Sequence, residues 1–216
     1  MWKILALTGV ALLDGLLLLS FWRQFRRHGT LGISFFRRGN YGQNIQDAAT
    51  ILLLVLLPWQ AISVARSSSK YLIPTQEPLV ELSRALGVVL LFGGIFLCSV
   101  SQLNLGSSWR IGVEDGVKSG LITTGLYRFS RNPIFLGLLA AIVGYALLLP
   151  TTLSLALLVG AYIGIRRQIA VEERYLLSTY GDTYRAYAQR VGRFVPAIGR
   201  MRPLPAGAQG LHGPGG

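Results

Sequence analysis

Two polar stretches, about forty residues apart, carry the residue types that could do chemistry. The first is Gly125-Leu126-Tyr127-Arg128-Phe129-Ser130-Arg131-Asn132-Pro133-Ile134-Phe135-Leu136-Gly137. The second is Val171-Glu172-Glu173-Arg174, followed by Tyr180-Gly181-Asp182-Thr183-Tyr184. Asn is a strong N-cap and Pro is favoured at the first helical position, so Asn132-Pro133 reads as the start of a helix. A helix start also offers free N–H groups and about half a positive charge, which suits an anion. Arg128 and Arg131 reinforce that, so a carboxylate or phosphate could sit there.

Glu172 and Glu173 point about 100° apart on a helix and cannot share one role. Neither has a cation three or four residues away: positions 168, 169, 170, 175, 176 and 177 are Gln, Ile, Ala, Tyr, Leu and Leu. The usual solvated ladder of helix ion pairs therefore fails here. With only 9 acidic residues in the chain, a doubled Glu beside apolar helix needs a partner from elsewhere. Arg131, or the amine of a ligand, could serve. One foot suits a carboxylate and the other an ammonium. A ligand with both is an amino acid or a cofactor with an amino-acid end, S-adenosylmethionine among them.

The elements that must position these feet are apolar helices. Apolar residues make up 51% of the chain and charged residues 14%, against roughly 25% charged in soluble domains. The expected fold is an all-α integral membrane protein with about five transmembrane helices and a C-terminal cytoplasmic amphipathic helical segment. A span needs about 20 mostly apolar residues. Trp2 to Trp22 is the first, an uncleaved anchor rather than a signal peptide, with Asp14 expected to face protein or water. Ile45 to Ala65 is the second, with a kink expected near Pro58. Leu79 to Leu103 is the third. Ile134 to Leu149 is short, about 24 Å at 1.5 Å per residue. Leu153 to Ile165 is shorter still, joined to it by the turn Pro150-Thr151-Thr152. Gly137 and Gly144, with Gly160 and Gly164, offer small faces for close helix contact, and the latter pair offers a face for a homodimer. Arg166 to Val191 reads as an amphipathic continuation of the fifth helix, broken at Gly181.

Between the spans lie polar segments. The connector Phe25 to Asn44 carries Arg37 and Arg38, with Phe35-Phe36 expected at the membrane surface. Arg66 to Pro78 is a loop, and Asn104 to Thr124 is a Gly-rich polar stretch. The chain divides into a three-span scaffold (1–103), a core (104–196) and a Gly/Pro-rich tail expected to be disordered (197–216).

The net charge of +12 lies between the apolar segments. That fits topology signals and anionic headgroups, not a nucleic-acid stripe. With the N-terminus outside, 17 Lys/Arg fall on the inner side and 4 on the outer. That predicts a cytoplasmic C-terminus in the cytoplasmic (inner) membrane, with both feet on the cytoplasmic face. One cysteine, Cys98, and two histidines give no constellation for a disulfide or a metal.

The segment Gly125 to Gly137, the Glu172-Glu173 pair and the closing Tyr180-Gly181-Asp182-Thr183-Tyr184 with Arg193-Phe194-Val195-Pro196 resemble the isoprenylcysteine carboxyl methyltransferase family. More broadly they are similar to membrane methyltransferases that include phospholipid methyltransferases. The resemblance implies S-adenosylmethionine contacts at Leu121, Ile122, Tyr127, Asn132, Pro133, Phe135 and Glu172; Arg131, Arg167 and Glu173 are the candidate catalytic residues. Asn132 stands where the family has His, and Phe135 where it has Tyr. Gln168 stands where the family has a carboxylate-binding Arg, with Arg167 its neighbour. The implied reaction is direct methyl transfer to a lipophilic or small acceptor, a carboxylate, thiol or amine. An amine or thiol would need a base, for which Glu173 and Tyr127 are candidates. Two other readings fit parts of the pattern. One is an NADPH-dependent membrane reductase of the sterol-reductase kind, although no Gly-x-Gly-x-x-Gly fingerprint is present. The other is a non-catalytic membrane protein that keeps the fold.

Overall fold

The computed structural model describes residues 1–28, 41–66, 79–105 and 120–202. They form α1 (Trp2–His28), α2 (Tyr41–Arg66), α3 (Leu79–Leu105), a 3-10 turn (Gly125–Arg128), α4 (Pro133–Leu148) and α5 (Thr152–Arg190). No strand occurs among the described residues, only an isolated bridge between Ser130 and Gly192. The expected positions of Phe35, Phe36, Arg37 and Arg38, the Arg66–Pro78 loop beyond Arg66, the 106–119 part of the polar stretch and the tail from 203 lie outside the described residues.

The chain is an all-α integral membrane protein. α1, α2, α3 and α5 are each long and apolar enough to cross a membrane. α4 has only 16 residues and reaches about 24 Å, short of the roughly 30 Å hydrocarbon thickness. None of its residues is exposed, so the shortest and most apolar helix is also the most enclosed. The apolar part of α5 runs from 152 to 165. From Arg166 onward the helix carries Arg166, Arg167, Glu172, Glu173 and Arg174 and lies beyond the span.

Local signals set the boundaries. Pro133 occupies the first turn of α4, where its missing N–H costs nothing. Thr151 caps α5, its Oγ1 accepting from the Ser154 N–H at 3.0 Å. Gly181 interrupts α5 at φ 52°, ψ −123°, a conformation open to glycine alone at little strain.

α3 and α4 pack antiparallel through glycines seven residues apart on each helix. Gly94 lies against the Gly137 carbonyl and Ala141, Gly137 against Gly94 and Cys98, and Gly144 against Gly87 and Leu91. The close helix contact expected of Gly137 and Gly144 is made with α3, while a Cβ on Gly160 would meet nothing within 4 Å. α1 runs parallel to α3 at a constant offset: Trp2 lies under Arg84, Gly9 faces Leu91, and Ser20 Oγ donates to Gln102 Oε1 at 2.6 Å.

α2 is tied to the far ends of α4 and α5 by polar groups that lipid cannot satisfy. Gln60 Nε2 donates to Thr151 Oγ1 at 2.5 Å and to Ser154 Oγ at 2.8 Å. The Tyr145 hydroxyl donates to the Leu57 carbonyl at 3.2 Å. Asp14 is half-buried on α1 and makes no hydrogen bond or ion pair with the other described residues, so the polar packing contact expected for it is not among them.

The seam predicts unequal responses to one added methyl group. In Gly94→Ala the new Cβ would stand 2.5 Å from Ala141 N, and a backbone cannot rotate away. We expect a loss of about 1–3 kcal/mol from overpacking, read as a lower unfolding temperature in detergent. Gly160→Ala should be neutral or stabilising by up to about 1 kcal/mol through helix propensity.

Candidate functional site

The 3-10 turn is pinned to the end of α3. Asn104 Oδ1 accepts from the Leu126 N–H at 2.8 Å. Gly125, at φ 59°, lies so close that any Cβ would strike that same oxygen. The sequence reading left Asn104 in a polar loop. Its pairing with a glycine 21 positions away leaves no local signature. The turn buries Tyr127, and the Tyr187 hydroxyl from α5 donates to the Tyr127 carbonyl at 2.6 Å.

Residues 130–132, just before α4, lie beside the segment that follows α5. The Arg131 N–H donates to the Gly192 carbonyl at 3.0 Å. Asn132 Nδ2 donates to the Arg193 carbonyl at 3.1 Å, and Ser130 Oγ reaches the same carbonyl at 3.4 Å. Arg131 Nη2 donates to the Gly199 carbonyl at 2.6 Å. Met201 N–H returns to the Ala188 carbonyl at 3.0 Å. Two expectations change. Asn132 holds the N-cap position of α4 but makes no side-chain cap, because its amide is committed across the gap to Arg193. The ordered path also continues past Pro196, with Ile198, Gly199 and Met201 bonded into the foot.

Arg131 and Glu173 come together, but not as free catalytic groups. The Glu173 carboxylate meets Arg131 Nη2 at 3.2 Å and Arg193 Nη2 at 2.6 Å, with Arg193 Nε donating at 3.2 Å. The Arg131 and Glu173 side chains are 1% and 7% exposed. A carboxylate gripped on both oxygens by guanidinium groups is a strong structural tie. Glu173 is therefore reassigned from base to tie. Arg131 Nε and Nη1 and the Tyr184 hydroxyl are buried without a hydrogen-bond partner among the described residues.

Glu172 is the opposite case. It is partly accessible at its surface yet strongly desolvated. Its carboxylate makes no hydrogen bond or ion pair with the described residues. Desolvation, helped by the neighbouring Glu173 charge, pushes its carboxyl up to about 7. Burial and the Glu172 charge in turn push the Tyr127 phenol up. Tyr127 thus stays protonated at neutral pH and is a donor, not a base.

The remaining predicted residues differ in burial. Leu121 packs on the buried Tyr184, Tyr187 and Ala188. Pro133 is buried, and Ile122 and Phe135 are half-buried. Gln168, one helical turn before Glu172, is half-buried, while Arg167 is exposed. Arg167 therefore does not share the Glu172 face, and the helix gives that place to Gln168. Arg128 is exposed and lies over the Phe129 ring at 4.5 Å. Arg193, which the sequence reading noted only as part of a closing motif, completes the charged cluster from 20 residues beyond Glu173.

Residues 82–183 match the family model for phospholipid methyltransferases, from the first turn of α3 to just past the Gly181 break. The chain is 39% identical over 71 residues to methanethiol S-methyltransferase 1 of Bradyrhizobium diazoefficiens, covering 33% of this chain and 24% of that one. It is 31% identical over 121 residues to the protein-S-isoprenylcysteine O-methyltransferase of Saccharomyces cerevisiae, covering 55% and 51%. The Schizosaccharomyces pombe protein of that name matches at 30% over 119 residues, covering 53% and 49%. The chain spans about half the length of these isoprenylcysteine relatives and a quarter of the methanethiol one. Residues 82–183 are thus similar to phospholipid methyltransferases and to isoprenylcysteine O-methyltransferases.

The buried cluster predicts which arginines matter to the fold. Arg131→Met breaks a desolvated ion pair and should cost about 3 kcal/mol, read as a lower unfolding temperature in detergent. Arg167→Ala, on the exposed face, should stay within about 0.5 kcal/mol of wild type.

Proposed function

We propose that the protein is an integral-membrane, S-adenosylmethionine-dependent methyltransferase acting on a lipophilic or small acceptor at the cytoplasmic face. The observation that carries this reading is Glu172, a desolvated, partly accessible carboxylate with no cation among the described residues to pair with it. A buried carboxylate of that kind is stabilised by a cation brought to it, and the ammonium of an amino-acid end would be one. The relatives are named as O- and S-methyltransferases, which supports the same chemistry.

The residues present fit such a cofactor in part. Glu172 would hold the ammonium and Tyr127 would donate a hydrogen bond beside it. Leu121, Ile122, Pro133 and Phe135 supply apolar walls. The carboxylate end would meet the backbone N–H groups of the first turn of α4. The cofactor supplies a methyl group already activated on a sulfonium, so the protein's work is alignment and exclusion of water.

The state of the titratable groups narrows the acceptor. Glu173 is held by two arginines and Tyr127 keeps its proton, so neither takes a proton from a neutral amine or thiol. The site suits an acceptor that arrives as an anion, a carboxylate or a thiolate. The excess of basic residues on the side of the feet supports a cytoplasmic orientation.

Calorimetry on the detergent-purified protein tests this. S-adenosylmethionine should bind at micromolar strength, and Glu172→Gln should weaken it at least tenfold, about 1.4 kcal/mol. The pH dependence follows from the Glu172 carboxyl titrating at about 7 in the free protein. Only the ionised form pairs with ammonium, so affinity should fall about tenfold per unit as pH drops below 7 and level off above it. Glu172→Gln should remove that slope. Binding of NADPH with none of S-adenosylmethionine would overturn the reading in favour of a reductase.

A further inference from the structure

The segment after α5 does more than end the chain's ordered path. Residues 192–201 cross directly over the two residues that open α4, bonded to Arg131 through its N–H and its guanidinium and to Asn132 through its amide. At the start of this crossing Arg193 reaches back to Glu173. Glu173 is adjacent to Glu172, so the same helical turn carries one carboxylate into the latch and one with no partner among the described residues. Gly181 lies between Glu173 and Arg193. Its positive φ turns the last part of α5, and a Cβ there would meet nothing within 4 Å, so the bend is set by backbone conformation and not by crowding. Residues 184–202 lie beyond the family-matched segment.

We infer that residues 182–201 form a strap, hinged at Gly181 and latched by Arg193 on Glu173, that closes the foot of α4 and holds Glu172 in place for the ligand. Glu173 and Arg193 are positioning residues: they act through Glu172 and the strap. The ligand half of this inference rests on the functional reading above. The latch itself stands on the described contacts. Arg193 is suited to the task because its side chain is 36% exposed while its partner is 7% exposed. A latch that opens must have one member that water can reach.

The test pairs hydrogen exchange with S-adenosylmethionine calorimetry on the full chain, comparing wild type, Arg193→Ala, Arg193→Lys and Gly181→Ala. In Arg193→Ala, amide protection across 191–201 and at Arg131 should fall at least tenfold, while α3 and α4 keep theirs. Affinity should drop at least tenfold in the same variant. Arg193→Lys keeps the charge but loses the two-point grip, and should recover part of both. Gly181→Ala should loosen the strap with the Arg193–Glu173 pair left chemically intact. Unchanged strap protection in Arg193→Ala overturns the latch. A loosened strap with unchanged affinity overturns the positioning role. If wild type binds no S-adenosylmethionine, the functional reading fails, and the exchange data alone decide for or against the latch.

Discussion

The contact on which the molecule depends is backbone against backbone between α3 and α4. In lipid, burying an apolar side chain against another gains little, because the tails outside are equally apolar. What remains is close packing, and glycines at 87, 94, 137 and 144 let the two helix backbones touch. Once that approach is fixed, the end of α3 lies beside the start of α4. Asn104 can then receive the Leu126 N–H, the 3-10 turn is set, and Tyr127 is delivered toward α5. The chemistry at the foot is thus positioned by residues that carry none.

At that foot two adjacent carboxylates have opposite fates, decided by which side of one helix they occupy. Glu173 turns toward Arg131 and Arg193 and is held as an ion pair. Glu172 lies near Tyr127 and has no such partner among the described residues. In a poorly solvated site the first arrangement fixes structure and the second leaves a carboxylate open to a ligand. Keeping the two together has a physical use, because the charge of Glu173 adds to the desolvation that raises Glu172. The free carboxylate then sits near its titration point, where a small change in surroundings alters its charge.

The sequence made the local features legible. The five apolar helices, the short reach of α4, Pro133 at its start and the break at Gly181 all follow from composition or from single-residue conformational rules. The absence of helix-borne partners for the Glu pair was visible by counting positions, and it pointed correctly to a partner from elsewhere, Arg131. The misread features were non-local. Asn132 looked like a cap because the pattern Asn-Pro says cap; its amide instead goes to a carbonyl 61 residues away. Gly137 and Gly144 were legible as close-contact positions, but their partner helix, α3, was not. Arg167 looked like a stand-in for its neighbour Gln168, but one residue on a helix is a rotation of about 100° and it faces outward.

The path of the strap gives the foot an order of assembly. Membrane helices enter one after another as the chain is made, and the α3–α4 seam can form as soon as α4 has emerged. Arg131 can find Glu173 only when most of α5 exists, and Glu173 gains its second arginine only when residue 193 follows. Until then a half-neutralised carboxylate and the bare opening of α4 face each other across an unfinished site. The last contacts to be synthesised are therefore the ones that complete the foot, so a chain stalled or cut within α5 would keep its membrane bundle and lack a finished site.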